Sequence, residues 1–477
     1  MMQPIRKKGL FFLLSFILFP GLAVNGQDPW SLKDCVDHAL KNNIQIKQQK
    51  LSVEIAEENL LQTRANQLPS INANASHGYN FGRTIDPFTN EFATETVRSN
   101  NFSLSTGLNL FSGLQVRNTI AQNRHELEAS RFDVEKIEND ISLAVASAYL
   151  QILFARELVE VTASNLEVSR QQVDHTRRLV EAGTLARGSL YTIEAQAASE
   201  ELQLVNAENQ LDIAYLNLAQ LLDLEDYSNF EIEVPEIEIE TFGETEHSPL
   251  QIYTTAVNSQ PEVRSAELRV ASAERGVKIA QGGRSPMLSF RGNYGTGYSG
   301  ASREITDVMI GEPQQIGETE GGEPVFAPSL DYLTQIKPFG DQLEDNLNRS
   351  LAFVLTIPIF NNFQTKASIS RSRIALENAN LNQQLVRVQF FKNVQQAHAD
   401  AQAALKRYTA TIKNVQALEE AFRYTEQRFS LGMVNSLEYN DAKNRLSAAQ
   451  SDLLQSKYEY VFRTKVLDFY LGVPLSL

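Results

Sequence analysis

The sequence predicts a mainly α chain with a minority of β, in which two long coiled-coil helical hairpins of a duplicated unit carry four amphipathic strands. Three observations predict it. The chain repeats internally, two stretches of nearly seventy residues contain neither glycine nor proline, and four short runs alternate apolar and polar residues.

The duplication comes first because it organises the rest. At an offset of 217, Leu51 matches Leu268, Val53 matches Val270, Ala56-Glu57 matches Ala273-Glu274 and Pro69 matches Pro286. At an offset of 249, Phe111 matches Phe360, Gln115 matches Gln364, Ile120 matches Ile369, Val145 matches Val394 and Gly183 matches Gly432. The change of offset inserts 32 residues between Pro286 and Phe360 of the second copy. Each copy therefore reads helix, strand, loop, strand, very long helix, turn, helix.

Ser31 to Gln67 is rich in Ala, Leu, Glu, Gln and Lys and free of Gly and Pro, which favours one helix stopped by Pro69. Gln115 to Glu181 and Thr365 to Leu431 are also free of both. At 1.5 Å per residue each would run roughly 100 Å. No globular core accommodates such a helix, so both are expected in a coiled-coil array. Gly183 and Gly432 break them, and each is followed by a helix about half as long.

The strands follow from a period of two. Ile71, Ala73 and Ala75 alternate with Asn72, Asn74 and Ser76; Phe102, Leu104, Thr106, Leu108 and Leu110 alternate with Ser103, Ser105, Gly107 and Asn109. Leu288 and Phe290 form the third strand, and Leu351, Phe353, Leu355, Ile357 and Ile359 the fourth. Between the copies, Phe230, Ile232 and Val234 alternate with Glu231 and Glu233, and Ile237 and Ile239 with Glu236, Glu238 and Glu240. This segment reads equally as a small strand pair or a solvated acidic linker. The divisions are 1–26, a signal peptide; 27–225, the first repeat; 226–248, the acidic segment; and 249–477, the second repeat.

Arg6, Lys7 and Lys8 precede an apolar run from Leu10 to Phe19, and small residues around Val24-Asn25-Gly26 place a cleavage site after Gly26. Ten apolar residues are too few to span a bilayer, which needs about 20. The only cysteine, Cys35, lies nine residues past the cut, so neither lipidation nor an internal disulfide is expected. Net charge is −15, and losing three basic residues with the signal takes it to −18. That balance argues against nucleic acid as a partner. The mature chain carries no 18-residue apolar run, so a membrane crossing falls to the strands. Four strands cannot close a barrel, and open edges are not tolerated in hydrocarbon, so more than one copy is required.

With these elements in place, the chain resembles the TolC family of outer-membrane efflux proteins over essentially its whole mature length. Trp30-Ser31-Leu32 through Ala39-Leu40-Lys41-Asn42-Asn43 resembles the family's first helix. Leu68-Pro69-Ser70-Ile71 and Ser285-Pro286-Met287-Leu288 resemble its helix-to-strand passages. Leu108-Asn109-Leu110-Phe111-Ser112-Gly113 and Ile357-Pro358-Ile359-Phe360-Asn361-Asn362 resemble its strand exits. Arg428-Phe429-Ser430-Leu431-Gly432, followed by Ser436-Leu437-Glu438-Tyr439, resembles the tip of its second coiled coil.

The resemblance implies a homotrimer with a 12-stranded outer-membrane β-barrel, four strands per chain, above a periplasmic α-barrel. Leu104, Leu108, Leu110, Phe353, Leu355 and Ile357 would then face outer-membrane lipid. It implies a periplasmic adaptor (a membrane fusion protein) and an inner-membrane RND or ABC pump as partners. Small-molecule (drug) efflux is the expected cargo, with type I protein or peptide secretion as the alternative. Glu438 and Asp441, six and nine residues past Gly432, would form an acidic ring at the tunnel entrance. Gly183, Leu185, Gly432 and Val434, with exposed apolar side chains at Leu185 and Val434, would mark the docking tips. Ser189 departs from the family's usual acid six residues past the first tip glycine, which leaves latching between coils in doubt. The residues past Gly297, up to Leu347, imply an enlarged extracellular loop.

No enzyme is expected. The six histidines lack metal-ligand spacing, so no metal or cofactor is assigned. Gly295-Thr296-Gly297-Tyr298-Ser299-Gly300 matches a dinucleotide-binding pattern in letters only, lacks the βαβ setting, and is expected as flexible loop. A soluble periplasmic coiled-coil scaffold is the remaining rival; it would not need strands patterned for lipid.

Overall fold

The computed structural model describes residues 29–473 and Leu475, apart from 87, 95, 227–229 and 236–247. The signal peptide and the Ile237–Ile239 alternation lie outside the described residues. The first helix is broken in two, as α1 (Leu32–Asn42) and α2 (Ile44–Ala65). One continuous helix was expected, and Asn43 is the reason it fails. Its backbone is extended (φ −57°, ψ 129°), its side-chain oxygen accepts from the amides of Gln45 and Ile46, and its amide group donates to the Leu221 carbonyl at 3.1 Å. An asparagine that caps the next helix competes with continuing the previous one.

The chain then forms β1 (Ser70–Asn80), a minimal ladder of β2 (Thr84–Ile85) with β3 (Phe92–Ala93), β4 (Val97–Ser112), α3 (Gln115–Glu181) and α4 (Arg187–Leu221). The second copy gives α5 (Pro249–Ala256), α6 (Pro261–Gly282), β5 (Met287–Ser299), a hairpin of β6 (Arg303–Glu318) and β7 (Pro324–Ile336), α7 (Phe339–Asp345), β8 (Asn348–Thr356), α8 (Gln364–Ser430) and α9 (Ser436–Tyr470). Both long helices have 67 residues and both following helices 35. The break at Asn43 recurs before Pro261, again at an offset of 217 from Gln260, the residue that caps α6.

α3 is the one described helix with a stretch apolar enough by composition to cross a membrane, and half of that stretch is buried inside the protein. These side chains build a core: Val145, Tyr149, Ile152 and Leu153 pack with Cys35, Ala39 and Leu218. Burial pushes the Cys35 thiol up to about 12, so it remains a protonated apolar filler. The described part of the acidic segment is neither a strand pair nor a free linker. Ile232 forms a single parallel bridge with Trp30, and the Tyr149 hydroxyl donates to the Glu233 carbonyl at 2.6 Å. A second cluster, with Ile252, Val263, Phe390 and Leu467, holds α5 and α6 to α8 and α9.

The four main strands make one antiparallel sheet in the order β1-β4-β5-β8. Opposed residues share a face. One face carries Ala73, Leu104 and Tyr294 in one row, Leu108, Phe290 and Phe353 in another, and Phe111, Leu288 and Leu355 in a third. The other carries a row of Asn72, Ser105, Asn293 and Ser350. Three expected strand residues sit differently. Leu110 is the unpaired residue of a bulge between Asn109 and Phe111, and Phe111 takes its place in the apolar row. Ile357 and Ile359 fall outside β8, which ends at Thr356 ahead of Pro358. Gly295 to Ser299, expected as flexible loop, are the outer half of β5. The enlarged loop is an ordered hairpin with a short helix. Gln342 of α7 fixes its base, accepting from the Ser299 amide at 2.9 Å and donating to the Ser299 carbonyl at 3.0 Å, while the Ser299 hydroxyl donates to buried Asp86.

Each passage from strand to long helix uses two consecutive left-handed residues, Gly113-Leu114 (φ 61° and 61°) and Asn362-Phe363 (φ 50° and 59°), again 249 apart. Leu and Phe pay for this conformation, about 1 kcal/mol or more each, so the turn is held by its surroundings. Gly113 and Gly282 meet backbone to backbone: a Cβ on either would collide with the other's carbonyl oxygen. Gly183 (φ 80°) and Gly432 (φ 69°) end the long helices in Schellman turns, where the Thr184 amide donates to the Leu179 carbonyl and the Met433 amide to the Arg428 carbonyl. Nothing lies within 4 Å of a Cβ at either tip glycine. Gly183→Ala is therefore expected to cost only the backbone penalty, about 1–2 kcal/mol. Gly113→Ala, at a φ of 61°, adds about 1–3 kcal/mol of overpacking at the junction to the same backbone penalty. Thermal unfolding of the two variants checks the order; equal losses would contradict the junction contact.

Candidate gate and docking tips

Glu438 and Asp441 sit on the first turns of α9, just past the second tip. Asn435 caps that helix by accepting from the Glu438 amide at 2.9 Å. Both carboxylates are half or more exposed and each has an arginine partner in its own chain. Glu438 meets Arg428 across the tip turn at 3.3 Å, and Asp441 meets Arg445 one helical turn on at 3.0 Å. Exposed pairs of this kind contribute about 0–1 kcal/mol, so they leave the carboxylates available. The four residues of the expected docking tips lie at the two helix-breaking turns, but their side chains differ from expectation. Leu185 and Val434, each two residues past its tip glycine, are half-buried. The exposed apolar side chains are instead Leu431 (74% exposed), Met433 (65%), Leu437 (72%) and Tyr191 (67%).

A second constellation near the tips was not read from the sequence. Tyr439, Asn440, Lys443, Asn444 and Ser447 lie on one stripe of α9 and stitch it to α3 and α4. Tyr439 is buried with Val173 and Ile193, and its ring lies 4.8 Å from that of Phe429. Asn444 exchanges hydrogen bonds with Gln196, and the Asn165 amide group donates to the Ser447 hydroxyl at 3.0 Å. At the centre, the Lys443 ammonium donates to the Asn165 carbonyl at 2.9 Å, the Ser169 hydroxyl at 2.5 Å and the Glu200 carboxylate at 3.1 Å. Side-chain exposure is 5% for Lys443 and 2% for Glu200, which makes this the one fully buried ion pair among the described residues. Burial pulls the Lys443 pKa below its usual value, partly offset by the Glu200 charge. The signal was present as the i, i+1, i+4, i+5, i+8 spacing of polar and aromatic residues on α9. Among the described residues no cluster of His, Cys, Asp and Glu could hold a metal ion.

With this geometry in hand, the comparisons with known proteins become informative. A profile of the family described as "Outer membrane efflux protein" matches residues 35–223 and 252–473, both repeats and most of the chain. The chain belongs to the outer membrane efflux protein family. It is a β-barrel and helical-tunnel channel protein of the outer membrane of a Gram-negative bacterium, and not an enzyme. It is similar to "Outer membrane efflux protein BepC" of Brucella suis, at 22% identity over 94% of this chain and 88% of that one. It is also similar to "Outer membrane protein TolC" of Vibrio cholerae, at 21% identity over 96% and 95% of the two chains. The fold matches the crystal structure of the outer membrane protein VceC of Vibrio cholerae with a TM-score of 0.72 at 16% identity, over 93% of this chain and 96% of that one.

Lys443→Ala would leave Glu200 buried without its partner and is expected to destabilise the tip by about 3–5 kcal/mol. Lys443→Met combined with Glu200→Leu should recover most of that loss. Thermal unfolding of the single and double variants measures it; additive losses would show that the two charges do not act as a pair.

Proposed function

We propose that three copies of this chain assemble into a channel-tunnel that passively exports small molecules handed over by an inner-membrane pump and its periplasmic adaptor. The carrying observation is the sheet. Its two edges, β1 and β8, are unpaired, one face is apolar and the other is lined by Ser and Asn. Such a sheet is stable in a bilayer only when other copies close it, apolar face to lipid and polar face to water. Three copies would supply twelve strands, and the 67-residue helices continue the wall. The pyoverdine-export designation of a Pseudomonas aeruginosa relative, 26% identical over 37% of this chain, supports small-molecule cargo over protein or peptide secretion.

Glu438 and Asp441 of three copies would bring six carboxylates to the tunnel entrance, an arrangement that favours cations and repels anions. Arg428 and Arg445 temper that field. Glu438→Gln with Asp441→Asn should raise single-channel conductance or weaken cation selectivity in planar bilayers; unchanged traces would remove the gate assignment. The turns after Gly183 and Gly432, with exposed Leu431 and Met433, are the proposed adaptor contact.

On the lipid face, Leu108→Arg or Phe353→Arg is expected to cost about 2–4 kcal/mol per chain near the membrane midplane. Asn293→Arg, on the polar face, should leave oligomer yield unchanged. The reverse pattern of yields would place the lumen on the apolar side. Photo-crosslinking from Met433 in living cells, with the captured protein identified by mass spectrometry, tests the cargo reading. An adaptor of a proton-driven pump supports it, and an adaptor of an ATP-driven exporter shifts it to secretion.

A further inference from the structure

The β6–β7 hairpin is exposed along nearly the whole of both strands. Its longer strand has sixteen residues, which at 3.3 Å per residue reaches roughly 50 Å. The two strands pair only with each other, and apolar side chains are exposed along their length: Ile310 (77%), Ile316 (69%) and Phe326 (59%) are examples, with Leu330 and Tyr332 beside them. Isolated two-stranded hairpins are marginal in water, and an apolar surface of this extent calls for a partner.

The topology says which surface is adjacent. Ile336 is followed by α7 and then at once by β8, an open edge of the sheet, and α7 is pinned to β5 through Gln342. The other open edge is β1, which runs antiparallel to β4 and ends at Asn80. When the sheet closes, β8 of one copy lies beside β1 of the next. The outer end of β8, at Asn348, then adjoins the outer end of β1, at Asn80. The segment that leaves β1 there also carries uncovered apolar side chains: Tyr79, Phe81 (79% exposed), Ile85 and Phe92.

Charge narrows the occupant further. Residues 303–337 hold seven acids, Glu304, Asp307, Glu312, Glu318, Glu320, Glu323 and Asp331, against Arg303 and Lys337. A hairpin of that charge is repelled by a phosphate-rich lipid surface and by its own counterparts in other copies. The neighbour's first loop has no such excess, with Arg83 and Arg98 set among Asp86, Glu91 and Glu95.

We propose that the β6–β7 hairpin of each copy docks on residues 79–93 of the adjacent copy, interlocking the assembly outside the membrane. This rests on closure of the sheet between copies as described under Proposed function. The test places the photo-crosslinker p-benzoylphenylalanine at Phe326 or Tyr332 of the full chain, in the assembled protein in outer membranes. The expected product has twice the mass of one chain, and its cross-linked peptide maps to 79–93 of the second copy. An adduct within one chain, between two hairpins, with lipopolysaccharide or with a different protein overturns the proposal, as does the absence of any adduct. The mass of the detergent-solubilised complex is measured in parallel. An oligomer without the expected adduct overturns the docking alone, whereas a monomer overturns the closure itself. As a second measurement, replacing 303–336 by a short Gly-Ser turn should lower the temperature at which the oligomer dissociates; an unchanged temperature contradicts the interlock.

Discussion

The constraint on which everything else depends is that a β-sheet in hydrocarbon may not have an edge. Four strands in the order β1-β4-β5-β8 expose two full rows of backbone donors and acceptors, along β1 and β8. In water such edges are tolerable; in a bilayer each unsatisfied group costs several kcal/mol. The single chain is therefore an incomplete object. Its helices inherit the same incompleteness. The long helices bury their apolar stripes only in part, and Leu385, Val388 and Ile374 stay more than half exposed on α8 of the lone chain.

Duplication supplies that wall economically. Besides the side-chain matches, the unusual backbone positions repeat at one spacing: Gly113 with Asn362, Leu114 with Phe363, Gly183 with Gly432, and Asp223 with Gly472, all at positive φ. The residue types differ at three of these four pairs while the conformation does not. What the two copies share is thus the path of the backbone, and glycine appears only where no local compensation exists or, at Gly113, where a second backbone comes too close for any side chain.

Much of this was legible. The ends of the long helices are visible because the absence of Gly and Pro is uninterrupted and each stop is a glycine. The strand faces are visible because Ser and Asn alternate with Leu and Phe. What stayed hidden depends on partners distant in sequence. Asn43 breaks a helix because the Leu221 carbonyl and the Asp223 carboxylate wait beside it. The β6–β7 ladder does not show in the sequence because three register shifts, at Thr306, Gly311-Glu312 and Ile316, scramble its alternation. At the tips, the family resemblance pointed to Glu438 and Asp441, but it could not show that Leu185 and Val434 are half-buried while Leu431 and Met433 stay outside. Lys443 and Glu200 are 243 residues apart, and neither is unusual until helix pairing brings them together.

The glycine contact between residues 113 and 282 has a mechanical meaning. With two backbones in van der Waals contact and no side chain between them, there is no compliant layer where the strands meet the helices. Side chains can rotate to absorb a shift, but main chains cannot. The junction therefore acts as a clamp, and any widening at the far end of the helices must be taken up as bending along their length. A coil of some hundred ångströms held at such a point and bent by a few degrees over its length is displaced by several ångströms at its tip.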